Sequence, residues 1–156
     1  SGQVLKFQDA RIQSQNPFRA GVAAEPGCNI VSNPAKTNFA TLMIKGEESH
    51  YYPIACETYY KMIKKVGNKI EYVSIPKVNH FFSLNGKIGK GKAVNGCSKN
   101  ILIRYADGSF RFQDGTPSDR RGKFKCFTEE SAAGEKNRAK LNHAINLSLN
   151  FLDKYK

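Results

Sequence analysis

The chain has 156 residues with 40% apolar side chains, including ten phenylalanines and seven tyrosines, which is enough to build the core of one globular domain. No stretch approaches the roughly 18 consecutive apolar residues that a membrane span requires, so the sequence excludes a membrane-spanning helix. The formal net charge is +12, from 25 basic and 13 acidic side chains. Such a charge indicates either an anionic partner or a solvated basic surface.

The first half of the chain alternates between helical and strand-like patterns. Pro53 and Gly67 flank one apolar-periodic segment, as is typical of a helix that begins at a proline and ends before a glycine. In chain order, the patterns predict a helix at residues 3–12, a strand at 21–24, a loop at 29–38, a strand at 39–45, a helix at 54–66 and a strand at 69–75.

The second half begins with a glycine- and lysine-rich loop at residues 83–97. A β-hairpin follows, because Asp107-Gly108 separates apolar runs at 101–105 and 110–112. The last helix is predicted at 136–155, capped at or near Ser131. One helical stripe is expected to face the sheet through Leu141, Ile145, Ser148, Leu152 and Tyr155.

Polar residues follow the strands at 39–45 and 69–75. The first strand leads into Glu47, Glu48, Ser49 and His50, and the second leads into a proline turn and His80. Open α/β sheets place their chemistry at these strand ends. An acidic loop followed by a histidine loop is also the order of the last two members of an α/β-hydrolase triad. The alternative is that His80 is structural or solvated.

Three segments resemble motifs of the dienelactone hydrolase family of α/β-hydrolases. Residues 19–28 read Arg-Ala-Gly-Val-Ala-Ala-Glu-Pro-Gly-Cys, residues 46–53 read Gly-Glu-Glu-Ser-His-Tyr-Tyr-Pro, and residues 75–81 read Ile-Pro-Lys-Val-Asn-His-Phe. They occur in the family's order, and the helix at 136–155 resembles its final element. The resemblance implies an α/β fold, specifically the C-terminal part of a mostly parallel hydrolase sheet with flanking helices and a hairpin insertion.

The resemblance also implies roles for individual residues. His80 would take and return a proton during acyl transfer from an ester or lactone, without a cofactor. Ser49 stands where the family has its catalytic aspartate, and a serine cannot stabilise an imidazolium as a carboxylate does. The adjacent Glu48 is a candidate substitute acid; otherwise the acid is missing.

The chain contains no Gly-x-Ser-x-Gly or Gly-x-Cys-x-Gly elbow, so we expect the nucleophile upstream of Ser1. Residues 1–156 would then be the C-terminal portion of one carboxylic-ester hydrolase domain, inactive alone. Its partners would be the N-terminal half or a second copy. The insertion at 83–130 borders the expected active-site mouth, where it is either a lid or an edge that extends the sheet.

A non-catalytic basic module that binds an anionic partner, such as nucleic acid, is the alternative function. Its basic residues concentrate at 87–92 and 120–125. No recognised nucleic-acid-binding motif accompanies these clusters.

The four cysteines lack the spacing of a metal site. Cys97 and Cys126 bracket the hairpin, where either a disulfide or two buried thiols would fit. A disulfide would favour a periplasmic or secreted protein, and free thiols a cytoplasmic one. The family resemblance places Cys28 near Cys56, so that the two pair or pack.

Overall fold

A computed structural model of the protein describes residues 18–80, 90–119, 121–131 and 137–156. The predicted helix at 3–12 and the first part of the predicted loop at 83–97 lie outside these residues. The strands are β1 Ala20–Ala24, β2 Ile30–Ser32, β3 Ala40–Gly46, β4 Ile70–Ile75, β5 Lys90–Ala93, β6 Leu102–Arg104, β7 Phe110–Phe112, β8 Pro117–Ser118 and β9 Thr128–Ser131. The helices are α1 Pro53–Lys65 and α2 Arg138–Asp153.

A parallel three-stranded sheet in the order β1-β3-β4 forms one part of this mixed α/β fold. Its central strand, β3, is buried along its whole length, as expected for a parallel strand covered on both faces. Met43 packs in one apolar cluster with α1, and its neighbours Leu42 and Ile44 pack in another cluster with α2. Because alternate side chains of a strand point to opposite faces, the two helices cover opposite faces of the sheet.

Two further sheets contain the strands of the second half of the chain, and one of them also includes β2 from the first half. Strand β2 pairs in parallel with β6, and β6, β7 and β8 continue as an antiparallel meander. The predicted hairpin is therefore confirmed, with Asp107 accepting a hydrogen bond from the Ser109 amide at its turn. Strands β5 and β9 form a separate antiparallel ribbon.

Both cysteine pairs form disulfides, Cys28–Cys56 and Cys97–Cys126. The interpretation of Cys97 and Cys126 as buried free thiols is therefore wrong. The first disulfide ties the loop after β1 to the N-terminal part of α1, and both of its cysteines are buried. It holds the β1 loop in place directly beside the strand ends.

Three predictions of local structure are wrong. Residues 29–38 are not entirely loop, because β2 forms there by pairing with the distant β6. The predicted loop at 83–97 contains β5 and a short 3-10 helix at Asn95–Cys97. The last helix begins later than expected, and its cap is Asn137, whose side chain accepts a hydrogen bond from the Lys140 amide.

The core face of α2 is also rotated relative to the prediction. Leu141 and Tyr155 pack against the core, as expected, but the buried residues of α2 are Ala144 and Phe151. Ile145, Leu149 and Leu152 are exposed instead. Leu141, Ala144, Phe151 and Tyr155 also fit a helical repeat, so spacing alone does not choose between the two faces.

Candidate functional site

The C-terminal ends of the three parallel strands bring a compact polar cluster together. Glu25 directly follows β1, Lys45 and Gly46 end β3, Ser49 lies in the next loop, and His80 lies in the loop after β4. Parallel strands that start at one edge of a sheet end at the other, so their following loops meet. We call these five residues the strand-end cluster.

Glu25 is the centre of the strand-end cluster. Its Oε2 atom lies 2.9 Å from Lys45 Nζ, 3.1 Å from Ser49 Oγ and 3.1 Å from His80 Nδ1. Its Oε1 atom accepts a hydrogen bond from the Gly46 amide. The carboxylate is only 8% exposed and Lys45 is fully buried, so this is a buried ion pair with additional hydrogen bonds.

The close approach of Gly46 to Glu25 depends on the absence of a side chain at residue 46. A Cβ atom there would lie 2.5 Å from the Val78 carbonyl oxygen and 3.0 Å from Glu25 Oε1. The contact with Val78 could be relieved only by movement of the backbone, and the contact with Glu25 only by a shift of the carboxylate. Glycine therefore lets the end of β3 reach the carboxylate.

Glu25 has an unusual backbone conformation for a residue with a side chain, with φ at 50°. This left-handed region costs an L-residue roughly 1–2 kcal/mol. The amide of Glu25 donates to the Ile44 carbonyl at 2.8 Å, which anchors the residue to β3. Such strain persists only where the surrounding structure enforces it, and it is common at functional sites.

The hydrogen bonds around Glu25 determine the tautomer of His80. A carboxylate only accepts hydrogen bonds, so His80 Nδ1 must carry a proton to pair with it. In the neutral imidazole, Nε2 then holds the lone pair and can act as a base. The side chain of His80 is 24% exposed, which leaves part of the ring open to solvent.

The electrostatics of the cluster favour an ionised carboxylate. Burial raises the pKa of Glu25, but hydrogen bonds from His80, Lys45 and Gly46 and the Lys45 charge outweigh it, so the pKa is lowered overall. Burial also lowers the pKa of Lys45 from its usual 10.5, opposed by Glu25. The Gly46 amide and the Ser49 hydroxyl also donate to Glu25, and the anion that they stabilise favours the charged form of Lys45.

Two aromatic rings lie beside His80. The Tyr51 ring lies edge-on to His80 with centroids 4.9 Å apart, and the His50 ring does so at 5.2 Å. Burial lowers the pKa of His50, and the neighbouring His80 and Lys45 lower it further. The loop is fixed by Asn95, whose side chain donates to the His50 carbonyl at 2.6 Å and accepts from the Tyr52 amide at 3.1 Å.

The predicted site residues have different positions in this arrangement. His80 and Ser49 lie close together, because both contact the same Glu25 oxygen. Glu48 is exposed, and its backbone amide donates to the Val78 carbonyl at 3.0 Å. Glu25 supplies a carboxylate that contacts His80. The sequence had indicated Glu48, and not Glu25, as the candidate acid.

Glu25 and Lys45 were therefore missed, although the sequence carried a signal for both. Glu25 directly follows the predicted strand at 21–24 and Lys45 ends the one at 39–45, and the rule that identified His80 also applies there. Applied to all three strands, that rule includes the acid after β1 and the lysine at the end of β3.

The described part of the insertion, residues 90–119 and 121–130, supplies no member of the strand-end cluster, although its Asn95 holds the neighbouring loop. Its hairpin belongs to the sheet of β2, and Tyr105 packs against the α1 side of the core. Strand β9 comes nearer, because the Tyr52 hydroxyl donates to Glu130 Oε1 at 3.2 Å. Phe110 lines a separate cleft of about 530 Å³ together with Arg104 and Asp119.

Among the described residues, no group of three or more histidine, cysteine, aspartate or glutamate side chains has the arrangement of a metal site. No described helix is long and apolar enough to span a membrane.

No family model, curated protein or solved structure matches the chain. The resemblance to the dienelactone hydrolase family therefore stays a prediction.

Proposed function

We propose that the protein contributes the histidine and the acid of a hydrolase that cleaves ester or lactone bonds. The observation that carries this proposal is the 3.1 Å contact between His80 Nδ1 and Glu25 Oε2. A buried carboxylate on one nitrogen orients the imidazole and leaves the other nitrogen to exchange protons with a reacting group.

The reaction follows the general scheme of nucleophilic acyl transfer. His80 Nε2 takes the proton of a serine or cysteine nucleophile as that residue attacks the substrate carbonyl. The imidazolium, stabilised by Glu25, then protonates the leaving alcohol as the carbon–oxygen bond breaks. In the second half, His80 Nε2 takes a proton from water as the water oxygen attacks the acyl carbon. The imidazolium then returns the proton to the nucleophile as the bond between acyl group and nucleophile breaks and the carboxylic acid leaves.

We also propose that the fold is the later part of an α/β-hydrolase domain and that the nucleophile comes from another segment. A parallel sheet with helices on both faces and polar strand ends is compatible with the later part of an α/β-hydrolase domain. The printed sequence has no nucleophile elbow, so we place the nucleophile in a segment upstream of Ser1.

We expect a specific pattern of esterase activity in two proteins, residues 1–156 alone and the product of the complete coding region. With p-nitrophenyl butyrate, residues 1–156 should show no turnover above their His80→Ala variant. The complete product should turn over, and His80→Ala should lower its kcat/KM by about 10²–10⁴-fold, the usual contribution of a general acid–base group.

His143→Ala is the matched control, because His143 is exposed on α2. If the complete product fails to hydrolyse a panel of esters and lactones, or if its turnover survives His80→Ala, hydrolysis by this site is contradicted. Turnover by residues 1–156 that requires His80 would instead contradict the upstream location of the nucleophile.

The net charge of +12 favours one alternative, a non-catalytic module that binds an anionic partner such as nucleic acid. That function does not need a buried acid beside a half-buried histidine. Absence of esterase activity, together with salt-sensitive binding of oligonucleotides, would favour it.

A further inference from the structure

Lys45 is an unusual charged residue among those that the structure describes. It is fully buried at the end of the central strand β3, whereas lysine is almost never fully buried unless it is paired. Its ammonium group donates to Glu25 Oε2 at 2.9 Å and to the Pro26 carbonyl at 3.3 Å. These contacts give Lys45 no direct role in proton transfer.

The charge of Lys45 nevertheless lies close to His80. Lys45 Nζ and His80 Nδ1 each lie about 3 Å from the same carboxylate oxygen. Lys45 Nζ is also 5.9 Å from the centroid of the Tyr51 ring, whose edge-on neighbour is His80. At such separations in a buried site, two charges interact strongly.

The charges of the strand-end cluster cancel only when His80 is neutral. Glu25 contributes one negative charge and Lys45 one positive charge, so protonation of His80 makes the cluster positive. Without Lys45, the uncompensated carboxylate would stabilise the imidazolium form of His80 more strongly. A histidine that keeps its proton cannot act as a general base.

We propose that Lys45 is a positioning residue that favours the neutral, basic form of His80 by offsetting the charge of Glu25. This inference rests on the proposed function, because it assigns the purpose of a neutral imidazole to proton transfer. Among the described residues, the other titratable groups near His80 include His50 and Tyr51, whose rings contact it from the loop after β3, and Glu130, on β9 beyond His50. All three are retained in every variant below.

The test follows the protonation of His80 directly, by NMR of protein with isotope-labelled histidine. In Lys45→Met, the pH at which half of His80 is protonated should rise by about 1–2 pH units relative to wild type, because one nearby cation is lost. Lys77→Met is the matched control. It removes the same charge from an exposed position in the loop of His80 and should leave the titration close to wild type.

The double variant Glu25→Gln/Lys45→Met keeps the test decisive if Lys45→Met fails to fold. It leaves neither charge buried without its partner, so it avoids the main cause of instability. If Lys45 neutralises Glu25, loss of both charges should leave the His80 titration within about half a pH unit of wild type. A lysine with a purely structural role predicts a fall of one pH unit or more, because the acid is lost alone.

Two results overturn the inference. One is a Lys45→Met titration no higher than that of Lys77→Met, and the other is the large fall in the double variant. Neither depends on turnover, so a protein without esterase activity would contradict the proposed function and still decide whether Lys45 controls the proton of His80.

Discussion

Replacement of Glu25 by alanine is expected to lower the free energy of unfolding by about 3–5 kcal/mol. The variant leaves the ammonium group of Lys45 buried without its carboxylate partner. It also removes the acceptor of the Ser49 hydroxyl and of the Gly46 amide. Loss of one member of a buried ion pair is costly, because the remaining charge has lost its hydration and no longer has a counter-ion.

Denaturation by urea with both disulfides intact would measure this effect. Glu48→Ala is the matched control, since it removes a carboxylate of the same type from an exposed position nearby. Its effect should stay within about 0.5 kcal/mol. Equal effects of the two substitutions would contradict the central position of Glu25.

The stability difference between wild type and Glu25→Ala should also depend on pH. The pKa of Glu25 is lowered in the folded protein, so its contribution is present above the ordinary carboxyl value of 4.5. As the pH falls below that value and through the folded value, the contribution is lost. The difference should therefore be largest near neutral pH and shrink on acidification.

Replacement of Glu25 by glutamine is expected to lower His80-dependent turnover of the complete coding product by about 10²–10⁴-fold. Glutamine has nearly the shape of glutamate, but it cannot stabilise the imidazolium that forms during proton transfer. Glu48→Gln tests the competing assignment of the acid, and it should leave turnover unchanged. A loss of the same size in Glu48→Gln, with activity retained in Glu25→Gln, would restore Glu48 as the acid.

A second substitution tests whether the acid can be relocated. Ser49 and His80 both contact Glu25 Oε2, so a carboxylate on residue 49 would lie within reach of the imidazole. Adding Ser49→Asp to the Glu25→Gln variant should raise its turnover at least about tenfold. That gain is a small part of the effect of a well-placed acid. No recovery, in a variant that folds, would contradict the proposed proximity of residue 49 to the imidazole.

The elements that local signals define were predictable from the sequence. Strand β3 is a continuous apolar run, and α1 begins at Pro53 and ends before Gly67, which has φ at 80°. Strand β2 was not predictable, because its three residues lie in a segment rich in asparagine and proline and pair only with the distant β6. Local propensity carries no information about such a partner.

Only part of the site was predictable from the sequence. Strand ends indicated His80 and Ser49, and the topology of the sheet brings them together. The role of Glu25 depends on a left-handed backbone that turns its side chain toward β3. This conformation is uncommon for glutamate, so the sequence does not predict it. The burial of Lys45 depends in turn on that carboxylate.

The tautomer of His80 is the most direct test of the proposed site. NMR correlation of the ring nitrogens with the ring protons distinguishes the two neutral forms of histidine. The 3.1 Å contact with Glu25 predicts that neutral His80 carries its proton on Nδ1 and its lone pair on Nε2. A proton on Nε2 would mean that His80 does not donate to Glu25, and would contradict its assignment as a base oriented by that carboxylate.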